Sequence, residues 1–224
     1  MRRAAVLCLA LAALAMSLAA ATVSPAEGGA EGERFRGSVE RLSPKLKDRM
    51  KGISWHRGCP VPLRELRLLR VVHWNFHGRA RKGQLVVHEQ YARDMVEVLG
   101  RAFRARFPIR RMELVDRYGA DDHRSMAHDN TSAFNCRFVN GTTRWSMHAY
   151  GMAVDINPRE NPYVSGSFVS PPEGRPFAER KPKRRGMLYR DGDVVRAMRR
   201  VIGWSWGGSW SGARDYQHFS STGS

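Results

Sequence analysis

Beyond its first 21 residues the sequence has no apolar run that could span a bilayer, no internal repeat, and no regular alternation of strand and helix signals. A membrane span needs about 20 mostly apolar residues, so the body of the chain carries no anchor of that kind. The missing repeat excludes a solenoid or propeller. The missing alternation argues against a doubly wound parallel sheet and for an α+β domain. Acidic residues are scarce as well, 21 against 38 Lys and Arg. Cysteine is rarer still, with three in 224 residues. One of them, Cys8, lies inside the N-terminal apolar stretch, which leaves Cys59 and Cys136.

The start of the chain follows the order of a secretory signal peptide: Arg2 and Arg3, an uncharged Ala/Leu-rich run to Met16, then the small residues Ala19-Ala20-Ala21. Cleavage is expected after Ala21, and Cys8 comes too early to be a lipid-bearing cysteine at that point. Loss of Arg2 and Arg3 takes the formal charge from +17 to +15. A surface this basic expects an anionic partner. For an exported protein that means anionic wall polymers or lipid head groups rather than nucleic acid. The even pair Cys59 and Cys136 in an exported chain favours a disulfide; two buried thiols are the open alternative.

Residues 22 to about 40, rich in Gly, Ala and Glu, read as a flexible leader. "LSPKLKDRM" reads as a short helix with Ser43 as N-cap and Pro44 at the first helical position. The divisions expected are a signal peptide over 1–21, leader and short helix over 22–50, and the main domain over 51–224. Leu85-Val86-Val87 is a short apolar run. Tyr91, Met95, Val98, Leu99 and Ala102 then recur at helical spacing until Pro108. A strand is expected over 109–115 and an extended loop over 117–143. A basic loop is expected over 170–186, then a short helix at "VVRAMRRVI" and a Gly/Trp turn region at "GWSWGGSW".

Two segments carry the chemistry: "SMHAYGMAVDINP", residues 146–158, and "DYQHF", residues 215–219. A helix would set His148 and Asp155 about 10 Å apart along its axis, too far to share an ion bound at about 2 Å from each. A turn followed by a strand serves better. Val154 and Ile156 then face the core, Asp155 points into a cleft, and the turn through Gly151 brings His148 back over it. His218 supplies a third ligand. Two imidazoles and a carboxylate with one position open to water form a catalytic zinc arrangement, and Asp215 is then free to act as general base. On spacing alone, ordinary hydrogen-bonded residues remain the alternative. His56, His73, His77, His88, His123 and His128 are read as structural or solvated.

"SMHAYGMAVDINP" resembles the Ser-x-His-x-x-Gly-x-Ala-x-Asp signature of the zinc D-alanyl-D-alanine carboxypeptidases, peptidase family M15. "DYQHF" is similar to that family's second motif, an acid with His three residues later. "GCPVPL", "YGADDHRSMAHDNTSAFNCR" and "GWSWGGSW" extend the likeness over residues 54–219, closest to the branch with L-alanyl-D-glutamate endopeptidases. The resemblance implies a small antiparallel sheet flanked by helices, shared with the hedgehog signalling domain. It implies one zinc on His148, Asp155 and His218, with Asp215 as base. Arg137 is the candidate for stabilising the oxyanion, and Arg144 the second choice.

Ser146, Trp206 and Trp210 are candidates for substrate binding, although Ser146 can equally shape a turn, and Trp204, Trp206 and Trp210 can equally be core. The implied substrate is the stem peptide of peptidoglycan, with a monomeric enzyme. A non-catalytic, zinc-containing wall-binding module is the rival class.

Overall fold

The computed structural model describes Met1 and residues 33–223. The expected signal peptide (Met1 apart) and residues 22–32 of the leader lie outside the described residues. Gly37–Arg41 forms β1, Leu66–Trp74 β2 and Ala80–His88 β3, an antiparallel sheet in the order β1-β2-β3. β1 lies in the stretch expected to be a flexible leader. Its register on β2 runs from Gly37 opposite Val71 to Arg41 opposite Arg67, so the folded unit begins well before residue 51. Pro44–Met50 is α1, and the Ser43 side chain caps it by accepting from the Leu46 amide at 3.2 Å, as the Ser-Pro pair foretells.

The sheet is covered on both faces, which explains three consecutive apolar residues in β3. Leu85 and Val87 pack with Leu69 and Val71 against one face, beside Met95, Val98 and Leu99 of α2, Ala92–Arg104. Val86 points the other way and joins Leu66, Leu68, Leu46 and Met50. Strand alternation alone dictates this split. α2 stops at Arg104, four residues before Pro108.

Only Arg111–Met112 of the strand expected over 109–115 is extended (β4), and it pairs in parallel with β5, Asn130–Thr131. Between them lies a helix inside the expected loop, α3, Asp122–Ala127, whose N-cap Asp121 accepts from the Arg124 amide. Ala153–Asp155 (β6), Ser205–Trp206 (β9) and His218–Ser220 (β11) make a second antiparallel sheet, β6-β11-β9. Tyr163–Ser165 (β7), Phe168–Ser170 (β8) and Arg214–Asp215 (β10) make a third, β10-β7-β8. Asp193–Ala197 is α4, which runs on as a wider π-turn through Ile202 and packs on α2. The mixture is α+β. Among the described residues no helix is long and apolar enough to cross a membrane.

Candidate metal and catalytic site

The site grows from the pairing of β6 with β11. Their register sets His218 directly opposite Asp155 and Phe219 opposite Val154. One face of this pair therefore carries Val154 and Phe219 into the core, while the other brings His218 and Asp155 together. Before β6, Met147–Tyr150 makes a single 3₁₀ turn, with the Ser146 hydroxyl accepting from the His148 amide at 3.3 Å. Gly151 follows at φ +69°, a conformation that favours glycine, and a Cβ there would come within 2.6 Å of the His88 backbone nitrogen. The chain reverses in that space, and His148 lands over Asp155.

The distances are short. His218 Nδ1 lies 2.9 Å from Asp155 Oδ1, His148 Nε2 lies 3.1 Å from Asp155 Oδ2, and the two nitrogens are 3.3 Å apart. His148 Nδ1 donates to the Ala133 carbonyl at 2.5 Å. A carbonyl can only accept, so this bond places a proton on Nδ1, and in the neutral ring Nε2 is then bare toward the carboxylate. Acceptors that converge in this way repel unless a proton or a cation lies among them. Ligand atoms around a tetrahedral ion at about 2.0–2.1 Å stand about 3.3 Å from one another, close to the separations found. The donor set of two imidazoles and one carboxylate suits zinc, so the residues present fit the metal. Burial alone would raise the Asp155 pKa, but the His148 and His218 imidazoles overrule it and hold the carboxyl well below the usual range.

Asp215 arrives on β10, opposite Tyr163 of β7. The Gly207–Ser209 turn presses close against it, and a Cβ on Gly207 would sit 2.5 Å from the Asp215 carbonyl oxygen. Its Oδ1 is buried without a partner. Burial pushes its pKa up, His218 opposes, Asp155 adds to the rise, and the result is about 7. Arg137 reaches the same cleft. Its guanidinium pairs with Asp122 at 2.8 Å, and its Nε is buried and unpartnered. Cys136, the residue before it, is bonded to Cys59 across 77 positions, so the expected disulfide is present and ties the Arg137 segment to the start of the domain.

The cleft encloses about 460 Å³. Arg137, Ser146, His148, Asp155, Trp210, Asp215 and His218 all line it. Seven buried side-chain polar atoms lack partners among the described residues, and five of them belong to this cleft: Arg137 Nε, Trp210 Nε1, Asp215 Oδ1, Gln217 Oε1 and His218 Nε2. Buried polar groups are almost always paired in folded proteins, so this concentration marks a place built for something else to bind. A larger groove of about 730 Å³, lined by residues such as Arg70, Lys82 and Asp116, contains none of them.

Three expectations are corrected here. Trp206, placed with Trp210 at the substrate, belongs to the core: it pairs opposite Phe219, donates from Nε1 to the Tyr216 carbonyl at 2.8 Å and is 8% exposed. Trp204 is core too, and Trp210 alone of the three lines the cleft. Arg144 is exposed and takes no part in the lining. His123, read as structural or solvated, does line the cleft. His56 lies beside Cys59 and Cys136 in a second possible ligand group, but the disulfide occupies both sulfurs. Asp122 and Gln217 went unrecognised, because an Asp in a polar loop and a Gln inside a five-residue motif carry no periodic or spacing signal.

The family model for D-alanyl-D-alanine carboxypeptidase matches residues 140–221. That stretch is similar to the M15 peptidases, which supports this family for the chain. The match contains His148, Asp155, Asp215 and His218 and stops short of Arg137 and Asp122. No curated protein and no solved structure matches the chain. The match supports a peptidase function in general, and the His148–Asp155–His218 group is a candidate for the metal on which M15 peptidases generally depend.

Proposed function

We propose that the protein is an exported zinc peptidase that hydrolyses peptide bonds in peptidoglycan stem peptides. One observation carries the reading: a cleft whose His148–Asp155–His218 ligand set stands beside a half-buried Asp215 with its Oδ1 buried and unpartnered. Zinc held there supplies a Lewis acid that brings the pKa of a water molecule down to about 7. Asp215, itself at about 7, accepts the proton of the attacking water and passes it to the leaving amine. Arg137, steadied by Asp122, offers a guanidinium where the scissile carbonyl oxygen gains negative charge. Trp210 and Ser146 line the path of the substrate.

The basic surface supports residence against anionic wall polymers, and the pattern of residues 1–21 supports export to the cell envelope. The protein acts as a monomer in this reading. Against the rival wall-binding module stands Asp215, since a non-catalytic zinc site has no use for a buried base beside it. The test is mass spectrometry of muropeptides after digestion with purified, zinc-loaded protein. The expected products have lost a terminal D-Ala, or are cut between L-Ala and D-Glu, and disappear with a chelator until zinc is restored. Unaltered muropeptides with wall binding retained would instead establish the module.

A further inference from the structure

Gln217 sits between the proposed base and the third ligand, is 2% exposed and lines the cleft. Its backbone is committed to the fold, since its carbonyl accepts from the Ile156 amide at 3.0 Å. Its side chain is not. The Nε2 amide faces only the thioether of Met126 at 3.6 Å, and Oε1 is buried with no partner. The orientation of this side-chain amide is fixed by chemistry. A thioether has no hydrogen to give, so the NH2 end belongs on the sulfur and the carbonyl end belongs to the cleft.

An orphaned buried acceptor is costly to the folded protein, a cost that a bound donor removes. The group is neutral and accepts only, so it cannot hold a carboxylate. It demands an N–H or O–H. The cleft's other orphaned groups outside the proposed ligand set and base, Trp210 Nε1 and Arg137 Nε, are donors. One acceptor and two donors in a single cleft complement the N–H and C=O groups of an extended peptide.

We infer that Gln217 is a substrate-binding residue whose side-chain carbonyl accepts a hydrogen bond from a backbone amide N–H of the peptide, beside the scissile bond. The inference rests on the peptidase reading of the cleft and names what that cleft recognises: main-chain amide, not only side chains or terminal charge.

The test compares zinc-loaded wild type with Gln217→Met, which keeps an unbranched side chain and removes the acceptor. The substrates are a synthetic stem pentapeptide and a set of depsipeptides, each with one non-scissile amide N–H replaced by an ester oxygen. Wild type should lose about 10- to 100-fold in kcat/KM on one member of the set. Gln217→Met should show that same loss on the all-amide peptide and treat the two substrates alike. Its zinc content should equal wild type, and its melting temperature should be equal or higher, because a buried unsatisfied acceptor has gone.

Calorimetric binding of the same peptides to Asp215→Asn protein, with and without Gln217→Met, reads affinity apart from hydrolysis. Binding that depends on Gln217, together with no hydrolysis by the zinc-loaded wild type, would keep the inference and remove the catalytic reading. Hydrolysis by Gln217→Met within twofold of wild type, indifference of wild type to every depsipeptide, or no peptide binding by either protein would overturn the inference.

Discussion

Among the described residues two places bury carboxylates, and they resolve the cost differently. Asp129 and Glu160 lie on either side of Arg110, with contacts of 2.6 and 2.9 Å to its guanidinium, which also stacks on Phe76. There the chain supplies the permanent cation itself, and Asp129 Oδ1 is used again to accept from the Arg159 amide. Asp155 and Asp215 lie in the cleft with imidazoles and no guanidinium paired to either. One cluster is closed, with a single orphaned atom, Glu160 Oε2, whereas the other leaves five polar atoms unpaired around open space. Burying charge is expensive in both. A cluster that completes its own partners is architecture; one that leaves them missing is prepared for a ligand.

The same chemical change, acid to amide, should therefore act in opposite ways at the two sites. In the cleft, Asp215→Asn should lower hydrolysis by about 10²- to 10⁴-fold, the usual worth of a general base. Zinc content should be unchanged, and thermal stability unchanged or raised, since the substitution removes the charge from a carboxylate whose Oδ1 is buried and unpartnered. Loss of zinc in this variant would make Asp215 a ligand rather than a base.

In the closed cluster, Glu160→Gln should leave hydrolysis alone and alter the pH dependence of stability. Burial first, and then Asp129, pushes the Glu160 pKa from 4.5 up to about 7. Between those values the folded state holds a proton that the unfolded state has lost, so this group's contribution is fully present below about pH 4.5 and disappears as pH rises through about 7. The difference corresponds to about 3 kcal/mol. Denaturant melts at pH 5 and pH 8 should show wild type losing stability upward and Glu160→Gln losing less. Equal slopes in the two proteins would break the comparison.

The functional cluster was more legible in the sequence than the structural one. His148, Asp155, Asp215 and His218 stand in two short motifs whose spacing limits the geometry, and alternation through Val154 and Ile156 already turned Asp155 away from the core. The Arg110–Asp129–Glu160 cluster joins residues up to 50 positions apart and has no local signature. β1 was hidden for another reason. An edge strand needs only a partner for its backbone, and four of the five residues of "GSVER" are exposed, so composition alone resembles a leader. α3 is six residues in a polar stretch, too short to show a period. Which tryptophan faces the cleft depended on the pairing of Trp206 with Phe219, a register that no local pattern reveals.

The most direct test of the central claim is metal content and hydrolysis rate measured on the same samples: wild type stripped of metal, wild type titrated with zinc, and His148→Ala. Zinc should saturate at about one per chain, with a rate that rises in proportion to occupancy, a higher melting temperature with zinc bound because metal favours the folded state, and neither tight binding nor activity in His148→Ala. Full hydrolysis by the stripped wild-type protein would contradict that claim.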